Sequence, residues 1–574
     1  MKTMQVTRFG GPEVMRLTEA PDPVAGPGQV LVDVEVADVL FLDAQLRTGW
    51  GAEWFGQAPP YVPGTGVVGR VRGDGRRVAA MVTGGYASQA VADTVVDIPD
   101  GVSMTEAAAL VQTGPAALSL FEAARIKPGD QVLVTAAAGG LGSLLVQLAV
   151  QAGAEVTAAA SKGHDVLRGL GGRAVSYEDV DGSFDVVFDG VGGEIGTAAF
   201  ARTAGGGRFF GYGVPSGSFA TTDPARSDVE VIGIEQVQFA PGEWAELLKK
   251  TFGRVKPVVG ATFPLELAAE AHRAIEARAT LGRTLLVVGR RAAYTDGVLR
   301  VEAAELPEPG PGQVRVRTVA AGVNGIDWKL GRNGPTGLEI SGVVETAGGG
   351  FAVGQAVVGR VEGGVATYVT ADAGDLVAKP DTLTFEQAAG LPVVLETALR
   401  TLRTLGLKRG QTLLIHAAAG GVGLAAAHIA RSWGATVVGT ASVANHAFLR
   451  ERGVLPVTYG EGLEDQVRML APQGIDAVLD AAGSGVLGLS VELTGDPAKV
   501  VTIADFTGAA EHGVEFSRGG LAWREVFAEL APILPDLPLT IFPLHQAAEA
   551  HELSRTGHTR GKIVISIEES TLPQ

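Results

Sequence analysis

The sequence predicts an α/β protein made of two tandem repeats, each a doubly wound parallel sheet set within a β-rich lobe. Three observations lead there. The phrase TAAAGGLGSLLVQLA at 135–149 returns as HAAAGGVGLAAAHIA at 416–430. Other landmarks recur in the same order about 280 residues later, which marks duplication of a whole globular unit: AGPGQV and PGPGQV, KPGDQVLV and KRGQTLLI, FPLELAAEAH and FPLHQAAEAH. After each glycine phrase, short apolar runs alternate with helical segments, the pattern of buried parallel strands.

Each repeat opens with apolar or alternating runs bounded by Gly and Pro, such as QVLVDVEVA at 29–37 and QVRVRTVAAGV at 313–323, which read as antiparallel strands. Helices follow at SMTEAAAL (103–110) and TFEQAAGL (384–391). Each begins with Ser or Thr and has Glu or Gln three residues on, the signature of a capping box. The runs VLVTAAAGGLG, EVTAAAS, FDVVFDGVGG and GGRFFGYG then supply the first parallel sheet, and TLLIHAAAGGVG, TVVGTAS, IDAVLDAAG and KVVTIADF the second. The closing runs RTLLVV (283–288) and KIVISI (562–567) revert to the opening character, so the chain is expected to return to its first lobe. The join GRRAAYTDG at 289–297 has no Ser/Gly/Pro linker, and two repeats packed rigidly as a pseudo-dimer are expected. Self-association of the whole chain stays open.

Composition narrows the functional classes. A chain of 574 residues with 46% hydrophobic residues has apolar surface enough for several cores. A net charge of −17 argues against a nucleic-acid partner, which needs clustered Lys and Arg. Zero cysteines exclude disulfides, cysteinyl zinc sites and thiolate catalysis, and none of the nine histidines is paired at a metal-ligand spacing. No run reaches the ~18 apolar residues of a membrane helix and no signal peptide is visible, so the expectation is a cytoplasmic protein without membrane contact.

Each glycine turn follows an apolar strand and opens a helix. That is the setting in which glycines let the backbone approach a pyrophosphate at a helix start. The candidates are Gly139, Gly140 and Gly142 in the first repeat and Gly420, Gly421 and Gly423 in the second. An NAD site would place an acidic residue at the end of the next strand. Ala160-Ser161-Lys162 and Ala441-Ser442-Val443 stand there instead. The hydroxyls of Ser161 and Ser442 and the ammonium of Lys162 suit a 2′-phosphate, so NADPH is the expected cofactor.

With these residues in hand, both repeats resemble the zinc-free medium-chain dehydrogenase/reductase family, in its quinone oxidoreductase-like branch. RFGGPEVMRL at 8–17, AAGVNGID at 320–327, the AAGG(L/V)G turns, DGVGG at 189–193 and the FPL...AAEAH segments carry the resemblance. It implies Rossmann-like nucleotide domains at 113–259 and 394–540. Each is inserted in a GroES-like catalytic domain, formed by 1–112 with 260–290 and by 291–393 with 541–574. It implies hydride transfer from NADPH to a small hydrophobic electrophile: an enone, a quinone or a similar activated double bond. It further places Asn324 and Thr397 beside the nicotinamide, Tyr177 and Tyr459 at the 2′-phosphate, and Arg283 and Lys562 among the cofactor contacts.

The first repeat departs from this pattern, with Leu40 where the second has Asn324 and Ala116 where it has Thr397. The second repeat is therefore the expected catalyst. Lys329, two residues beyond Asp327, is a candidate donor to a developing enolate. A cyclase or isomerase without net redox chemistry, and a first repeat that is purely structural, are the alternative readings. His272 and His551, at matching places in the AAEAH segments, are expected to be structural.

Overall fold

A computed structural model describes residues 1–329 and 331–567. The chain divides into two compact units, the first covering 1–289 and the second running from 290 onward. The join is no linker: Arg290–Thr295 is a strand of the second unit, paired antiparallel with Val298–Ala303.

In the first unit six parallel strands lie side by side in the order Arg173–Val175, Glu155–Ala159, Gln131–Val134, Phe184–Asp189, Thr203–Gly211, Glu230–Ile232. Numbered along the chain, the order is 3-2-1-4-5-6, and the reversal beside the first strand opens a crevice at the carboxyl ends. The second unit repeats it with Leu455–Val457, Thr436–Thr440, Thr412–His416, Ala477–Asp480, Val500–Thr502 and Glu515–Phe516. The central strands are mostly apolar because helices cover both faces, with Asp189, His416 and Asp480 at their carboxyl ends. Leu133, Leu144, Leu145, Phe188 and Phe210 are fully buried in the first unit, and Leu395, Leu399, Ile415 and Ile429 in the second.

The second sheet of each unit is mainly antiparallel and is assembled from both ends of the unit. Val30–Val39 pairs with Gly66–Val71 on one side and with the late strand Arg283–Val287 on the other. Gln313–Val323 likewise pairs with Glu339–Val344 and with Lys562–Ser566. The late strand sets Gly282 against Gly139, and Gly561 against Gly420, in short parallel bridges. The closing strand of the β-rich lobe thus braces the glycine turn of the parallel sheet.

The predicted capping boxes form: Ser103 Oγ accepts from the Glu106 N–H at 3.1 Å, and Thr384 Oγ1 from the Gln387 N–H at 3.1 Å. Both AAEAH histidines are buried and held by a tyrosine hydroxyl, Tyr86 on His272 at 3.2 Å and Tyr294 on His551 at 2.9 Å. The tyrosines come from different places: Tyr86 precedes Gln89–Ala92, whereas Tyr294 lies in the unit's first strand. Burial pushes His272 down to about 3 and His551 to about 4, so both are neutral at physiological pH and serve packing.

Candidate functional site

The two glycine turns have the same backbone. Ala136 and Ala417 open them with φ of 50° and 59°, a left-handed conformation that costs a residue with a side chain about 1–2 kcal/mol. Gly139 and Gly420 then cap helices Gly140–Gln151 and Gly421–Ser432. A Cβ at Gly142 would sit 2.4 Å from the Ala136 carbonyl oxygen, and one at Gly423 2.4 Å from that of Ala417. These two glycines are required for the turn to close. At Gly139 and Gly420 a Cβ would meet the same carbonyl oxygens at 3.1 and 3.4 Å, a milder crowding than at Gly142 and Gly423.

Gly140 and Gly421 answer to a third constraint, the side chain of the late strand. A Cβ at Gly140 would overlap Arg283 Cδ at 2.1 Å, and one at Gly421 would meet Lys562 Cδ at 2.9 Å. Arg283 and Lys562 were expected among the cofactor contacts. They lie beneath the turns, 8% and 3% exposed, joined to carboxylates that sequence reading passed over. A buried cation is tolerated only when it is paired and hydrogen-bonded, and here each cation has several acceptors.

In the second unit Lys562 Nζ donates to Glu339 Oε1 at 2.7 Å, to Asn324 Oδ1 at 2.7 Å and to the Val323 carbonyl at 3.0 Å. Glu339 also accepts from Asn324 Nδ2 at 2.7 Å and from the Val393 N–H, at the start of helix Pro392–Thr404, at 2.7 Å. The carboxamide of Asn324 is therefore fixed in orientation from both ends. In the first unit Arg283 donates through Nε to Asp38 Oδ1 at 3.0 Å and through Nη2 to the Val39 carbonyl at 2.9 Å. Burial pushes the Asp38 carboxyl up from the ordinary carboxylate range, and the guanidinium opposes this.

Thr397 is buried in the second turn of helix Pro392–Thr404, where its carbonyl accepts from Thr401 Oγ1 at 2.8 Å. Lys329 is exposed at the end of Ile326–Lys329, its ammonium 5.7 Å from the Trp328 ring centre. The structure gives it no hydrogen bond to Asn324.

At the end of the second parallel strand the residues read as 2′-phosphate contacts meet further basic groups. Lys162 donates to the Arg278 carbonyl, and Tyr177 stands near Arg278 and the Ala136 N–H of the turn. Ser442 accepts from Asn445 Nδ2 at 3.2 Å, and Arg560 Nε donates to Asn445 Oδ1 at 2.7 Å. Tyr459 is 53% exposed. Arg278 and Arg560, both just ahead of the late strand, escaped sequence reading because they do not occupy matching positions in the two repeats.

Behind Asn324, Asp327 receives its backbone N–H at 2.7 Å while the other carboxylate oxygen, Oδ1, is buried without a hydrogen bond. Burial raises this carboxyl to about 7. Its counterpart Asp43 receives the Leu40 N–H at 2.9 Å and the Tyr86 hydroxyl at 3.1 Å and is raised to about 6, again by burial.

Two sequence profiles described as Zinc-binding dehydrogenase match residues 168–286 and 421–526, and one described as Alcohol dehydrogenase GroES-like domain matches 310–381. The chain is 33% identical over 306 residues to a pikromycin polyketide synthase component of Streptomyces venezuelae, spanning 47% of this chain and 8% of that protein. It is 30% identical over 312 residues to the quinone oxidoreductase of Mus musculus, spanning 48% of this chain and 94% of that protein. A solved quinone oxidoreductase from Thermus thermophilus, 32% identical, covers 50% of this chain and 100% of its own, with a TM-score of 0.45. The residues present do not fit a dehydrogenase zinc, which needs clustered Cys, His or carboxylate ligands. The chain has no cysteine, and among the described residues no three such side chains are grouped to hold a metal. Nor, among the described residues, is any helix long and apolar enough to cross a membrane.

The raised Asp327 carboxyl has a signed consequence. Between the ordinary value of 3.8 and about 7 the folded chain holds a proton that the unfolded chain has released, so this group favours folding at low pH and loses that effect as pH rises through 7. Asp327→Asn is expected to gain stability relative to the parent between pH 5 and pH 8, read from urea unfolding midpoints. An unchanged difference between the two chains at both pH values contradicts the assignment.

Proposed function

The chain belongs to the medium-chain dehydrogenase/reductase family, in its quinone oxidoreductase-like branch, and we propose that it reduces enones, quinones or similar small apolar electrophiles with NADPH. The observation that carries this reading is the doubled turn: the same left-handed alanine, the same crowded glycine and a buried cation at the same place, Arg283 or Lys562, recur in both units. The mouse relative's name, quinone oxidoreductase, supports the electrophile class.

Bound NADPH would supply the hydride; the chain's own residues bind and orient. The free N–H groups at the starts of Gly140–Gln151 and Gly421–Ser432 suit a pyrophosphate. Ser161, Lys162, Tyr177 and Arg278 in one unit, and Ser442, Asn445, Tyr459 and Arg560 in the other, form the polar and basic surroundings a 2′-phosphate needs. Asn324, locked by Glu339 and Lys562, offers a fixed carboxamide beside the turn, with Thr397 as the neighbouring hydroxyl. A group held in this way needs no reorganisation during reaction. The second unit is read as a catalyst on these residues. Lys329 is the candidate proton donor on the substrate side.

NADPH titration by calorimetry tests the reading. Two equivalents are expected in the parent and one in each of Gly139→Asp and Gly420→Asp, since a carboxylate on the turn repels a pyrophosphate; the new Cβ meets only a backbone carbonyl oxygen, at 3.1 or 3.4 Å, and a thermal unfolding profile beside each titration reports that the variant folds. Stoichiometry indifferent to both substitutions rules out the turns as cofactor sites. Lys329→Met is expected to lower turnover of an enone or quinone about tenfold or more with NADPH affinity unchanged; full turnover removes Lys329 from the mechanism.

A further inference from the structure

The first unit lacks Asn324's counterpart, yet its polar network is complete by another route. In the second unit the carboxylate, Glu339, stands on one strand and faces Gly322 on the adjoining strand, where a Cβ would lie 2.2 Å from Glu339 Oε1. In the first unit the two residue types have changed places. Asp38 stands on the strand that matches Gly322, and Gly66 on the strand that matches Glu339. The carboxylate keeps its cation because Arg283 and Lys562 occupy the same position in the late strand, each also donating to the carbonyl of the residue before Leu40 or Asn324.

The vacated space at Gly66 is filled by Val111 and Gln112. A Cβ at Gly66 would lie 2.6 Å from Val111 Cγ1, 2.9 Å from Gln112 Nε2 and 3.1 Å from Gln112 Cγ, so the glycine is what admits these two side chains. Gln112 Nε2 donates to Asp38 Oδ2 at 3.4 Å, and its Oε1 accepts from Thr65 Oγ1 at 3.1 Å. Gln112 sits at the start of helix Thr113–Ala124, where the second unit has Val393, whose backbone N–H donates to Glu339. Each unit therefore has a cation, a carboxylate and a carboxamide in one network under its glycine turn: Lys562, Glu339 and Asn324, or Arg283, Asp38 and Gln112. A carboxamide nitrogen has two donors. In both networks one is bonded to the carboxylate and the other has no protein acceptor among the described residues.

We infer that Gln112 is the cofactor-positioning residue of the first unit, supplying from the helix start the carboxamide that Asn324 supplies from the strand end. The first unit is then a second working nucleotide site, with its polar contact rebuilt on the opposite wall. This rests on the reading of the glycine turns as NADPH sites.

The test uses the full chain carrying Gly420→Asp, so that only the first turn can take cofactor, with NADPH emission as the probe. Gln112→Met and Gln112→Glu both remove the donor and keep the size. Each is expected to weaken NADPH binding about tenfold with the thermal unfolding profile retained, and Leu40→Asn added to Gln112→Met is expected to recover most of the affinity. That recovery, from a carboxamide on the other wall, is a response a merely structural Gln112 would not produce. Affinity within twofold of the parent in either folded variant overturns the assignment alone. Absence of NADPH binding in the Gly420→Asp chain overturns it together with the reading of the first turn.

Discussion

The architecture of each unit depends on a buried ion pair under its glycine turn. Arg283 and Asp38 are 245 residues apart in sequence, and Lys562 and Glu339 are 223 apart. Each pair ties the late strand to the β-rich sheet it closes. Removing two charges from water costs several kcal/mol per ion, and only dense hydrogen bonding offsets it. The second unit meets that demand with three acceptors for Lys562 and three donors to Glu339. Because the cation's stem presses on Gly140 or Gly421, the helix start cannot move without disturbing the pair. The middle glycine of the turn is thus set by packing from below.

The two units solve the same problems with different residues. The carboxylate and the facing glycine trade strands, Asp38 and Gly66 against Glu339 and Gly322, and the carboxamide moves from the strand end to the helix start. A similar trade occurs at the buried histidines, where Tyr86, from the bend before a strand, and Tyr294, from within a strand, reach equivalent rings. Such exchanges follow from burial: a polar group in an apolar interior needs its partner, but the partner's place in the chain is free. A position-by-position comparison of the repeats therefore reports losses where the structure has substitutions.

Much of the architecture was legible in the sequence because local pattern carries it. Apolar runs, the glycine phrases and the two capping boxes depend on residues a few places apart. The glycine turns were legible for the same reason, whereas which glycine caps the helix, Gly139 and Gly420, came from the structure. The buried pairs were not, since charge shows in a sequence while its partner lies more than two hundred residues away. Arg283 and Lys562 thus looked like free cations and were assigned to the cofactor. Asp38, in step with the apolar Val32, Val34 and Val36 where Asp33 and Glu35 are not, was the available signal, because a carboxylate on the buried face of a strand requires a cation. Leu40 and Ala116 suggested an impaired first repeat, and Gln112 was passed over because the second repeat has valine there.

On this view the buried pair, acting as a unit, holds the glycine turn in place. A double-mutant cycle of Asp38→Asn and Arg283→Met in the full chain, read by amide hydrogen exchange across 137–143, addresses it directly. Each single substitution is expected to loosen the turn by about 3–5 kcal/mol, because it leaves one charge buried alone. The double substitution should cost clearly less than the sum, with a coupling of about 2 kcal/mol or more. Losses that simply add, or turn amides that exchange as in the parent, would contradict it.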